Sequence, residues 1–198
     1  GVVFFLDGPR DDAFCTGGEV NRAAHFAGGR LEARLGGLGD RYSVSLWFWN
    51  GMPAEARSMA GWLVSRGAVH GSAADGDHLG IGGTAASPGR LVFARGDQAN
   101  GGPMQSGRTE IKRWTWNHAV LVRDGAWVRV HLNGNAQPEI ETTAETGSSG
   151  ASDRLFLGGR CDNLCNWEGR LDEIAVFDRA LTAEEIAALV EPWTRSRV

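Results

Sequence analysis

The chain has 198 residues, 29 of them glycine, and a formal net charge of -4. That length suits one domain with a proper core, and a glycine share about twice the usual indicates many turns and few long helices. The acidic balance without a basic run argues against a nucleic-acid partner, and no stretch reaches the ~18 apolar residues of a membrane span.

In chain order, "GVVFFLDG" reads as a strand, too short and too poor in flanking base for a signal peptide. Because the chain opens on Gly1, not Met, it is expected to be a single domain, 1–198, taken from a larger protein. "RAAHFAGGRLEARL" (22–35) is two short runs broken at Gly28-Gly29. In "YSVSLWFWN" (42–50), alternation places Val44, Leu46 and Phe48 on one face and Ser43, Ser45, Trp47 and Trp49 on the other. Apolar groups on both faces predict an inner strand. Segments 61–67, 78–83 and 90–96 continue the series through Gly-, Ala-, Ser- and Asp-rich connections.

"HAVLVRDGAWVRVHLNGNAQ" (118–137) holds two β-branched runs about Asp124-Gly125, a hairpin signal, and Asn133-Gly134 marks the next turn. A polar loop (143–154) precedes "LFLGG" and then "NWEGRLDEIAVF" (166–177). The one helix signal is C-terminal. Thr182 and Glu185 form a capping box, followed by an apolar face of Ile186, Leu189 and Val190. The fold class is therefore all-β: an antiparallel sandwich closed by one short helix.

The cysteines are Cys15, Cys161 and Cys165. "CDNLC" could close a small Cys161–Cys165 disulfide in an oxidising compartment, or leave two buried thiols; spacing alone does not choose. Only Lys112 among the 20 basic residues is a lysine, a bias read as genomic composition rather than anion recognition.

The segments "HFAGGRLEARL", "YSVSLWFW", "WTWNHAVLVRDGAWVRVHLNG", "LFLGG" and "WEGRLDEIAVFDRALTAEEIAAL" resemble, in order, the laminin-G-like, concanavalin A-like jelly-roll family from about residue 20 to 191. The most specific pieces are W-N-H-A-V at 116–120 and G-R-L-D-E-I-A-V-F-D-R-A-L-T at 169–182. The resemblance implies two stacked antiparallel sheets, with ligands met on the concave face or rim loops. It also implies that many members carry a calcium ion and that most are binding modules of exported proteins. Ala27 stands where the family often has an Asp, which weakens any calcium site built on that acid.

In a regular strand Asp172 and Glu173 point to opposite faces, so only a bulge would make them a catalytic pair. Glu139 and Glu141 share a face, but Pro138 disfavours a central strand and solvated edge carboxylates are expected. No nucleophile–base pair is visible, and no catalytic residue is expected. For calcium, the acids and amides in turns (Asp7, Asp11, Asp12, Asp75, Asp77, Asp162, Asn163) and Asp172 are candidates, with Asp172 and Asp7 taken as the metal ligands. Capping of backbone amides is the plainer role for each.

Family positions assign Trp47, Trp116 and Trp167 to the core, leaving Trp49, Trp62, Trp114, Trp127 and Trp193 as extras. Surplus Trp suits sugar stacking, although burial is the commoner fate. Trp49 and Trp114, with Asp162 and Asn163, are the expected ligand-binding set. Trp114 and Trp116, two apart, are expected to share a strand face, and His118 to be a hydrogen-bonded core histidine. The expected function is a non-catalytic carbohydrate-binding module of an exported bacterial protein, contacting a glycan and neighbouring domains, with structural calcium. The alternatives are a structural or protein-interaction module and, more distantly, a glycan hydrolase or lyase.

Overall fold

The computed structural model describes residues 1–9, 21–68, 76–96, 104–146 and 154–191. Its elements are β1 (Val2–Asp7), β2 (Arg22–Ala27), β3 (Leu31–Arg34), β4 (Arg41–Asn50), β5 (Met59–Arg66), β6 (Asp77–Gly82) and β7 (Arg90–Arg95). They continue as β8 (Gln105–Glu110), β9 (Trp116–Asp124), β10 (Trp127–Leu132), β11 (Ile140–Thr143), β12 (Arg154–Leu157), β13 (Glu168–Phe177) and α1 (Ala183–Ala188).

Two antiparallel sheets result, ordered β1-β2-β13-β4-β9-β10-β11 and β3-β12-β5-β6-β7-β8. The core between them takes Val44, Leu46 and Phe48 from β4 together with Phe26, Leu63, Leu79, Ile81, Phe93, Leu121 and Val130. β4 lies between β13 and β9, the inner position its two apolar faces predict. On its outer face Trp47 is buried against His118, whose Nε2 lies 2.8 Å from Ser45 Oγ. Burial pushes the His118 pKa down to about 4, so it is a neutral packing residue.

The β9–β10 hairpin turns one residue later than the sequence signal indicates. Asp124 pairs with Trp127, and Gly125, at φ 60°, opens the turn. Asn133 and Gly134 both take positive φ, as an Asn-Gly turn requires. Past β13 the capping box forms as expected, and Ile186 packs with Leu181 on Val120 and Val122, covering one end of the outer sheet face.

Two features depart from the sequence expectation. β8 is a full strand, hidden in "QSGRTE" because this edge strand offers little apolar alternation to detect. The second departure is in β13. Asp172 opposes Trp47 and Ala175 opposes Ser45, so one extra residue is inserted and Glu173 takes φ 47°. This bulge cancels the alternation that would separate Asp172 from Glu173.

Candidate sugar-binding face

The end of the sandwich where β4 stops and β9 begins carries an exposed indole, Trp114, next to the half-buried pair Trp49 and Trp116. Trp114 does not share a strand with Trp116. It sits in a turn before β9 with φ 62°, its N–H donating to Asn50 O at 2.9 Å, and is 63 % exposed. The turn is braced by Thr115 Oγ1 donating to Lys112 O. The Arg113 guanidinium lies 4.4 Å from the Trp114 ring centroid and donates to Gly51 O at 3.0 Å. One face of the indole is thus held by a cation–π contact while much of the ring remains open to solvent.

Beside this turn lies a cleft of about 300 Å³ lined by Asn50, Glu55, Gly89, Glu110, Lys112 and Arg113, among others. Two carboxylates and two cations make its charge balanced, and its wall carries both donors and acceptors for hydroxyl groups.

Trp49 is half-buried on the outer face of β4, opposite Trp116 on one side and Arg170 on the other, with Arg170 Cζ 4.6 Å from its ring centroid. Trp116, expected in the core, is half-buried on that same outer face because it pairs directly with Trp49. Arg170 donates to Asp7 O at 2.9 Å. His25, opposite Arg170, is held below its ordinary pKa by burial and then by the Arg170 charge, against a smaller pull from Glu168.

Asp162 and Asn163 serve their own loop. Asp162 takes a two-point contact from Arg160 (2.9 and 2.7 Å) and the amide of Leu164 at 3.1 Å. Burial opposes the Asp162 charge, but the Arg160 and Leu164 donors prevail and its pKa falls. Asn163, at φ 68°, accepts from Asn166 Nδ2. Cys161 is a buried thiol and Cys165 a half-buried one, with no bond between them. Unfolded, unreduced protein should therefore titrate with three thiols, and a count of one would show Cys161 bridged to Cys165.

The other aromatic and acidic candidates divide. Trp62 and Trp167 are fully buried, whereas Trp127 is 51 % exposed near the β9–β10 turn. On the outer face of the six-stranded sheet, Met59 and Trp62 of β5 and Val92 and Ala94 of β7 pack with Met104 and Cys165, so this part of the face is covered by the chain itself. Glu139 does not project as a free edge carboxylate. It accepts from the amides of Arg108 and Thr109 and from Thr109 Oγ1, tying β8 to the start of β11, while Glu141 pairs with Arg129. Burial works against the Glu139 charge, but these donors outweigh it and its pKa falls. Asp11, Asp12, Cys15, Asp75 and Trp193 lie outside the described residues.

Asp172 is half-buried. Asn21 Nδ2 reaches its Oδ2 at 2.9 Å and also Pro9 O at 3.1 Å, and the Glu173 amide reaches Oδ1 at 3.0 Å. A Cβ at Gly8 would lie 2.4 Å from Asp172 Oδ2, so only glycine allows this approach. Burial raises the Asp172 pKa, and burial followed by the Asp172 charge raises that of Glu173. The Asp7 carboxylate is paired with Arg22 at 3.0 Å. Among the described residues no group of three or more His, Cys, Asp or Glu could hold a metal.

The sequence did not single out Arg113, Arg170 or the cleft acids. Their roles come from strand register and from a turn, neither of which alternation reveals. Among the described residues, no helix is long and apolar enough to cross a membrane.

Solved structures share the fold at low identity. Domain 4 of AbnA, a GH43 extracellular arabinanase from Geobacillus stearothermophilus in complex with arabinotriose, superposes with TM-score 0.62 at 18 % identity, over 96 % of this chain and 88 % of that one. The CBM40 of Ruminococcus gnavus IT-sialidase gives 0.56 at 14 %, over 77 % and 83 %. The botulinum neurotoxin serotype G binding domain gives 0.60 at 14 %, over 99 % of this chain but 45 % of its own. No curated protein matches by sequence. Residues 26–187 match the family described as the concanavalin A-like lectin/glucanases superfamily (Laminin_G_3), and the chain, a sandwich of two antiparallel sheets, belongs to that family.

Proposed function

We propose that the domain is a non-catalytic carbohydrate-binding module of an exported protein, and that it holds its glycan at the Trp114–Trp49 end of the sandwich. The observation that carries this reading is Trp114, an exposed indole braced by Arg113 beside a charge-balanced polar cleft. Sugars present C–H faces to such rings and hydroxyls to flanking polar groups. The arabinotriose in the arabinanase domain and the extracellular setting of that enzyme support both halves of the proposal. Affinity should be modest, because an open cleft desolvates few polar groups fully. The test is affinity electrophoresis of the isolated domain through gels containing arabinan, xylan, β-glucan or polygalacturonate. Retardation by at least one, with no release of reducing ends, is expected. Migration unchanged in every gel would remove the reading.

A second reading, a protein-interaction module, is favoured by one observation. Edge strand β1 exposes Val3, Phe4 and Phe5 at 36, 60 and 66 %, an apolar patch of the kind that marks contact surfaces.

A structural calcium ion belongs to the same proposal. The bulge brings the Asp172 and Glu173 carboxylates into repulsion, and Asp172 Oδ2 and Pro9 O converge on the single Asn21 amide. Those oxygens suit a hard cation, which draws its ligands from carboxylates and carbonyls. Calcium would neutralise the buried charge there. Asp7 would contribute no carboxylate, being engaged by Arg22. A raised folded-state pKa means that Asp172 favours the fold when protonated, and that this contribution is lost as pH rises through the folded value. At neutral pH its charge is a cost that calcium offsets, so calcium should raise the melting temperature there by mass action. The increment should fade as pH falls towards the unfolded aspartate value of about 3.9. Equal melting in EDTA and in calcium at neutral pH would sink the ion.

A further inference from the structure

The sheet face beside the cleft carries a longer feature. Val3, His25, Arg170, Trp49 and Trp116 oppose one another in register through β1, β2, β13, β4 and β9. Directly opposed residues share a face, so these five side chains form one row across the strands. At about 4.8 Å per strand the row is about 19 Å long.

The five side chains are half-buried or exposed. The next row on the same face is closed, with Trp47 and His118 buried and Asp172 against Gly8. The row is therefore an open strip with one packed flank, too long for a single sugar.

Its chemistry selects among chains. Along β13 the residues on this face are Glu168, Arg170 and Asp172, one cation between two acids. The Arg170 guanidinium is already engaged by the Trp49 ring and by Asp7 O. Burial and then the Arg170 charge hold His25 toward its neutral form. Such a strip has no cationic clamp to repay the desolvation of a ligand carboxylate or sulfate. It offers the exposed Glu168 carboxylate as an acceptor and the rings of Trp116 and His25, which suit the hydroxyls and C–H faces of an uncharged sugar.

Resting on the carbohydrate-binding reading above, we propose that a linear neutral polysaccharide lies across the strands along this row. The domain then recognises internal segments of a chain and discriminates against acidic ones.

Titration calorimetry of the wild-type domain with arabino-, xylo- and cello-oligosaccharides from disaccharide to hexasaccharide, and with oligogalacturonates, tests this. Affinity for one neutral series should rise by about tenfold with length, the equivalent of one further stacked ring. It should change little with added salt, since no ion pair is made. His25→Ala and Trp116→Ala should flatten the length dependence. Equal affinity for disaccharide and hexasaccharide, or tighter binding of oligogalacturonates, would overturn the row while leaving a glycan site at the cleft. Absence of binding to any glycan would overturn the carbohydrate reading, and this inference with it.

Discussion

Asp77→Ala should cost the fold about 3–5 kcal/mol, the range for removing one partner of a buried charge pair. Asp77 is almost fully buried where β6 meets the opposite sheet. Its Oδ1 receives Arg95 at 2.8 Å and Arg123 at 3.5 Å, and its Oδ2 accepts the Tyr42 hydroxyl at 2.7 Å. Arg123 is buried too, and its remaining bonds go to the carbonyls of Ala144 and Glu145. Without the carboxylate, the buried Arg123 guanidinium loses the one anion paired with it among the described residues, and the Tyr42 hydroxyl loses its acceptor. Burial, then the Asp77 charge and hydrogen bond, already push the Tyr42 pKa well up, so the phenol stays neutral and cannot compensate. Against a total stability of roughly 5–15 kcal/mol the variant should melt roughly 6–20 °C lower. Asp77→Asn keeps an acceptor for Tyr42 and should fall between. A melting temperature within a degree or two of wild type would show that the cluster contributes little.

Trp114→Ala should weaken binding of the retained polysaccharide by roughly thirtyfold or more, the scale of an aromatic hot spot. The ring is mostly exposed, so its removal should change stability by no more than about 0.5 kcal/mol. Trp127 supplies the control. It is also exposed and also near an arginine, Arg129, but lies by the β9–β10 turn, away from the Trp114 turn that precedes β9. Trp127→Ala should bind as wild type does. Equal loss in both variants would point to a general surface effect, and undiminished binding by Trp114→Ala would remove the cleft from the site.

Much of the architecture was legible in the residues. Alternation in 42–50 marked β4 as a central strand, Asn133-Gly134 marked a turn, and Thr182 with Glu185 marked the helix start. What escaped was what alternation does not encode. β8 lies at an edge where burial demands few apolar side chains. The β13 bulge needs no glycine, because Glu173 itself takes the left-handed conformation. Trp114 was named as a ligand residue but placed on the wrong element, since its turn is set by a backbone bond to Asn50. The partners of Trp49 depend on register between strands distant in sequence, so Arg170 became visible only once β13 was seen beside β4.

The most direct measurement is the set of indole N–H signals of the ¹⁵N-labelled domain as the retained oligosaccharide is added. The Trp114 and Trp49 signals should shift progressively to saturation, while Trp127 stays in place. Unmoved Trp114 and Trp49 signals at saturation, with shifts instead at Trp127 or in the amides of Phe4 and Phe5, would contradict a glycan site at this end of the sandwich.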